Sequence, residues 1–143
     1  MSSPSAALSD SSPSRPGLLW MARGLASVIL LQTLFFKFSA APESVYIFEQ
    51  LNAEPWGRIG SGIMEAIAIL LLLAPLGSRM TAFGGLLTMG VMGGALGSHL
   101  TMLGIEVQGD GGLLFGLAIL TFLCATHVTW TLRRSLPLLG GAQ

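Results

Sequence analysis

Four stretches of this chain are almost wholly apolar, at about 18–38, 59–76, 80–103 and 113–132. Each is close to the ~20 residues that a helix needs to cross hydrocarbon. The pattern therefore predicts an all-α integral membrane four-helix bundle with a transmembrane domain over 18–134. Before it, residues 1–17 are rich in Ser and Pro and hold few large apolar side chains. Such a segment cannot offset its ordering entropy by burial, and it reads as a disordered cytoplasmic tail. Residues 135–143 form a short Gly-containing C-terminal tail. Between the first two apolar runs, Pro42 to Arg58 mixes Glu43, Glu49 and Glu54 with Val45, Tyr46, Phe48, Leu51 and Trp56. That mixture predicts a short interfacial helix and loop with aromatic anchors. Phe38 to Ala41 has the small residues of a signal-peptidase site, but the apolar run before it is too long for a signal peptide and Lys37 intervenes, so the first run is expected to stay as a helix.

Composition agrees with lipid as the solvent: hydrophobic residues make up 52% of the chain and charged residues 10%, where soluble domains carry roughly one-quarter charged. Net charge is zero and the basic residues are scattered, so nothing lines up to neutralise successive phosphates and no nucleic-acid partner is expected. The only cysteine, Cys124, excludes an internal disulfide, a CxxC redox pair and a thiolate metal site in one protomer. With four crossings, Arg15, Arg23, Arg79, Arg133 and Arg134 fall on one side and Lys37 and Arg58 on the other. The positive-inside rule then predicts both termini in the cytoplasm of a multi-pass protein of the cell inner membrane.

Ionisable groups at membrane depth are costly and mark candidate sites. Lys37 closes the first helix, Glu65 lies about two turns into the second, His99 is near the end of the third, and Asp110 precedes the fourth. All four are expected at one level in the outer leaflet. Arg58, Ser61, Gly62 and Glu65 share one face of the second helix, and Arg23, Ala26, Leu30, Thr33 and Lys37 share one face of the first. If those faces meet, Lys37 pairs with Glu65. The cluster then reads either as a buried ion pair plus a histidine hydrogen bond that orient the helices, or as a polar pocket for a small ligand or quinone head group. One His with carboxylates is a poor ligand set, and no metal is expected. Arg23 alone is expected to snorkel to the cytoplasmic interface. In the fourth helix Thr121, Cys124, His127 and Thr131 share a stripe that reads as packing. In the third, the ridges Gly90, Gly94, Ser98 and Gly85, Met89, Gly93, Gly97 predict close helix contact.

The segments Leu34-Phe-Phe-Lys-Phe38, Gly62-Ile-Met-Glu65, Gly97-Ser-His-Leu100 and Gly109-Asp-Gly-Gly112, in that order, resemble the DoxX-like family of small bacterial membrane proteins over about Leu18 to Arg134. The resemblance implies a four-helix membrane bundle associated with membrane oxidoreductase systems, including thiosulfate and quinone chemistry. The family positions map onto Lys37, Glu65 and His99. Relatives in thiol redox pathways use paired cysteines, so thiol–disulfide exchange does not carry over to a chain with one. The expected function is that of a subunit or accessory of a membrane redox system, with quinone as the candidate cofactor at Lys37, Glu65, His99 and Asp110. The competing expectation is a structural or interaction subunit whose glycine ridges bind a membrane partner or a second copy. A small-solute carrier would require oligomerisation at this length.

Overall fold

In the computed structural model, residues 16–137 are described, and the predicted tail 1–17 lies outside them except for its last two residues. Those two already belong to a helix. α1 runs Pro16–Phe38, α2 Pro42–Gln50, α3 Trp56–Leu73, α4 Ser78–Ser98 and α5 Leu113–Thr131. A π-helical turn, His99–Leu103, continues α4, and a 3₁₀ turn, Arg133–Ser135, follows α5. Pro16 sits at the start of α1, where its missing N–H costs nothing and its fixed φ suits a first turn.

Four of these helices, with α4 and its π turn counted together, are long and apolar enough to cross a membrane. Each packs against two neighbours, in the order α1, α3, α4, α5 and back to α1. Successive helices are antiparallel, so Pro16 and Arg133 lie at one end of the bundle. That end is called proximal here, and the opposite end, which carries α2 and the π turn, distal.

The outer surface is as apolar as the interior, unlike that of a water-soluble bundle. Ala22, Ala26, Ala68, Ala118, Ala125 and Thr88 are buried, while Val28, Phe35, Leu70 and Leu123 stand on the outside at 59–69% exposure. Large apolar residues have nothing to gain from hiding when the solvent is lipid, whereas small ones let backbones approach closely. Between the long helices, the closest approaches occur at two glycines. A Cβ on Gly84 would lie 2.9 Å from the Leu71 side chain, and one on Gly85 would lie 2.4 Å from Thr129 Oγ1.

Three expectations are corrected. The second crossing is α3, Trp56–Leu73, three residues earlier than the apolar run at 59–76 predicts. Pro55 flanks its start, and Ala74, with ψ 146°, is driven out of the helical region by the proline that follows it. The glycine ridges also divide differently. Gly85 is tightly packed and Gly93 touches Phe122 at 3.8 Å, but Gly90, Gly94 and Gly97 have nothing within 4 Å of the Cβ position. Small residues ring most of α4, and a helix with two neighbours has a side left facing lipid. Ser135 and Leu136 likewise belong to the fold, since Leu136 is only 3% exposed; the rest of the predicted C-terminal tail, 138–143, lies outside the described residues.

Candidate functional site

On α1, Thr33 and Lys37 are one helical turn apart, and both turn toward α3. Lys37 Nζ donates to Glu65 Oε1 at 2.5 Å, and Thr33 Oγ1 donates to Glu65 Oε2 at 2.9 Å. Glu65 is wholly buried, and the Lys37 side chain keeps 14% exposure. The two polar faces that periodicity defines on these helices do meet. Both carboxylate oxygens are satisfied, as a charge withdrawn from water requires.

Around this pair lie two arginines whose roles periodicity did not reveal. Arg58, near the start of α3, donates through Nη1 to the carbonyl of Lys37, next to the last residue of α1. Its Nε and Nη2 grip the Glu54 carboxylate at 2.7–2.9 Å. Arg23, instead of snorkelling, is 8% exposed and donates from Nε to the carbonyl of Leu72 at 2.6 Å, next to the last residue of α3. Its guanidinium lies 3.8 Å from the centroid of the Trp20 ring. The last carbonyls of a helix have no partner within it, and in lipid no water is there to take their place. Each arginine thus caps the C-terminal end of the antiparallel neighbour, where the helix dipole also favours a cation.

His99 opens the π turn and is 6% exposed. Its Nδ1 lies 2.8 Å from the carbonyl oxygen of Gly104, whose own N–H donates back to the His99 carbonyl at 2.9 Å. Because a carbonyl can only accept, Nδ1 is the donor in this contact. The edge of the ring system meets Phe115, with centroids 5.5 Å apart.

Asp110 is a cap. Oδ1 accepts from the backbone N–H groups of Val107 at 2.9 Å and Gly112 at 2.8 Å, and Oδ2 from Leu114 at 2.9 Å. These backbone donors, Leu114 first and Val107 next, hold its carboxyl below the ordinary aspartate range, with a smaller contribution from the charge of His99. Gly112, at φ 82°, makes the left-handed bend that leads into α5.

The four candidate residues do not share one level. Counted from the contact of Gly84 with Leu71 and Leu72 near the proximal end, at about 1.5 Å per residue, Glu65 lies about 10 Å along α3, whereas His99 lies about 22 Å along α4. Glu65 is therefore near mid-depth, not in the outer layer, and Lys37 reaches inward to it. Thr88 and Thr121, both fully buried, lie about 15 Å from the proximal ends of α4 and α5 respectively. Their hydroxyls donate to their own helices, at Gly84 and Leu117, both at 2.8 Å. Thr88 is a member of this middle layer that sequence reasoning missed, and its only signal was a hydroxyl within an apolar, glycine-rich helix. His99 and Asp110 form a second, distal group. Of the α5 stripe, Thr121 is fully buried while Cys124 and His127 are half-buried.

Lys37 is the candidate with donors to spare. An ammonium has three N–H bonds, and Glu65 takes one. The Phe48 ring of α2 lies over it, 5.7 Å from Nζ to the centroid. Comparison with known protein families, with curated proteins and with solved structures finds no match to this chain.

Proposed function

We propose that this chain is a DoxX-like subunit of an inner-membrane redox assembly, with both termini cytoplasmic, and that a quinone head group docks at Lys37. The observation that carries this reading is the ammonium itself, with two N–H donors unused, 14% side-chain exposure and an aromatic ring above it. A quinone carbonyl needs a donor, and its ring needs an apolar neighbour. Glu65 fixes the position of the ammonium and supplies the counter-charge. His99 Nδ1 and both oxygens of Asp110 are engaged by backbone groups, so they shape the distal end and do not reach the ligand. The test is thermal stability of the purified protein in mild detergent with a short-chain quinone. At a hundredfold excess over its dissociation constant a ligand stabilises by about 2.7 kcal/mol. The wild type should show such a rise and the Lys37→Met/Glu65→Gln double variant should not. No rise in the wild type would discard the quinone.

A second reading has its own observation. The face of α4 at Gly90 and Gly94 is open, and glycine within a helix lowers its stability by about 1 kcal/mol relative to alanine. Such a face suits close contact with a partner helix or a second copy. In this reading the chain is a structural subunit, and Gly94→Leu leaves the protomer intact while abolishing association seen by native mass spectrometry.

A further inference from the structure

We infer that the corner formed by Arg79, Arg133 and Arg134 at the proximal end binds the phosphate of an anionic phospholipid. Three observations converge on it, and none involves the Lys37 site.

The first is the separation of charge along the bundle. Among the described residues, Arg23, Arg79, Arg133 and Arg134 lie at the proximal end with no acidic residue, while Glu43, Glu49, Glu54, Glu106 and Asp110 lie at the distal end. Arg23 is consumed by Leu72 and Trp20. Neither of the two ion pairs among the described residues uses the other three arginines. Among the described residues, no carboxylate meets their charge.

The second is convergence. Gly85 faces Thr129 across the α4–α5 contact, and the two helices are antiparallel. Arg79, in the first turn of α4, and the 3₁₀ turn that follows α5 therefore lie at the same end of that seam. The 3₁₀ turn that carries Arg133 and Arg134 packs against α4. The three arginines therefore share the proximal end of one helix seam, and the N-terminal end of α4, with no side-chain cap, adds its partial positive charge.

The third is depth. Trp20 and Trp130 are 56% and 65% exposed at this end, and exposed tryptophans of membrane proteins sit at the headgroup level. Arg133 lies 4.2 Å over the Trp130 ring and donates to the Trp130 carbonyl at 3.0 Å, so it is held at that level with the rest of its fork free. Phosphodiesters of the lipid lie at the same depth, and planar guanidinium groups match them in a bidentate fashion. A zwitterionic lipid brings its own cation next to the phosphate, so the surplus positive charge selects lipids with net negative headgroups.

The test uses the full-length protein in mild detergent and native mass spectrometry with phosphatidylglycerol or phosphatidylcholine of the same acyl chains. Wild type should retain the anionic lipid at least tenfold more tightly. Each guanidinium removed should lower that preference about fivefold, the size expected for a basic residue at an anionic surface. Arg79→Gln/Arg134→Gln should thus nearly abolish it, and both side chains are exposed, so folding is preserved. Arg79→Lys/Arg134→Lys, which keeps the charge, should retain most of it. A parallel arm adds inorganic phosphate and should give no thermal stabilisation. Equal retention of the two lipids by wild type, an undiminished preference in the Gln variant, or stabilisation by free phosphate equal to that by the lipid would each overturn the inference.

Discussion

Removing one member of the Lys37–Glu65 pair should be far more damaging than removing both, and the two single changes should differ. Glu65 is fully buried, and Lys37 and Thr33 satisfy its oxygens at 2.5 and 2.9 Å. Lys37→Met leaves a carboxylate near the middle of the bundle with no counter-charge and one hydroxyl donor. Breaking a buried pair in this way costs about 3–5 kcal/mol. Glu65→Gln leaves an ammonium, but the 14% exposure of the lysine side chain and its flexible stem let it swing toward the distal interface. That variant loses charge-assisted hydrogen bonding worth about 1.5–3 kcal/mol and keeps a side chain of the same shape. The double variant Lys37→Met/Glu65→Gln strands no charge, and Thr33 can still donate to the new amide. Its stability should lie within about 1.5 kcal/mol of wild type, as for a volume-conserving change. The assay is unfolding of the four proteins in mixed micelles, analysed as a double-mutant cycle. The expected coupling exceeds about 2 kcal/mol, at the upper part of the range for residues in direct contact. Strictly additive single effects would remove the ion pair as the tie between α1 and α3, and a glutamine variant less stable than the methionine variant would refute the role given to exposure.

Gly85→Ala should destabilise the protomer by about 1–3 kcal/mol, since the new methyl would fall 2.4 Å from Thr129 Oγ1; Gly94→Ala, with open space around it, should leave thermal stability unchanged or raise it. Asp110 has a carboxyl held below its ordinary range, so the order it confers on the distal loop is present above the unfolded value of about 4 and is lost as pH falls through the lower folded value. Amide exchange at Val107, Gly112 and Leu114 should accelerate on that descent in the wild type, and should be fast and pH-insensitive in this respect in Asp110→Asn. For orientation, alkaline phosphatase fused after Gln143 should be inactive and a fusion near Asn52 active; the opposite pair of activities would reverse the proposed topology.

Much of the architecture was written in the periodicity. Lengths of apolar runs set the number of crossings, and the i, i+3, i+4, i+7 spacing put Glu65 and Lys37 on faces that do meet. What periodicity cannot supply is which neighbour a face meets and at what depth. The sequence groups Glu65 with His99 because both lie in the distal part of an apolar run. In the structure α3 begins at Trp56 and α4 continues through a π turn to Leu103, and these unequal lengths move the two residues apart. The glycines of α4 failed for a related reason. Small residues occupy several sides of that helix, so the pattern holds more than one ridge, and only the positions of α3 and α5 select Gly84 and Gly85. The sequence has Arg23 snorkelling and places Arg58 only on the polar face of its helix, because a sequence displays charges and not orphan carbonyls. The partners they found are the chain ends of other helices, which carry no sequence signature at all.

Those two caps explain why the α1–α3 seam tolerates a buried carboxylate. Arg23 meets the end of α3 and Arg58 meets the end of α1, so the seam is held at two levels about 21 Å apart, with Glu65 near the midpoint. A side chain fixed from both directions cannot slide along the bundle axis. The geometry of Lys37 and Thr33 about Glu65 is then set by the caps and does not have to be created by the pair itself. The α4–α5 seam is different, since it rests on the contact of Gly85 with Thr129 and on side chains such as Phe122 against Gly93. One seam is polar and directional, and the other is apolar and close. It follows that polar substitutions should act mainly through α1 and α3, whereas changes of volume should act through α4 and α5. Any ligand reaching Lys37 therefore meets a rigid wall, and any helix that docks on the open side of α4 meets a surface whose position depends only on steric contact.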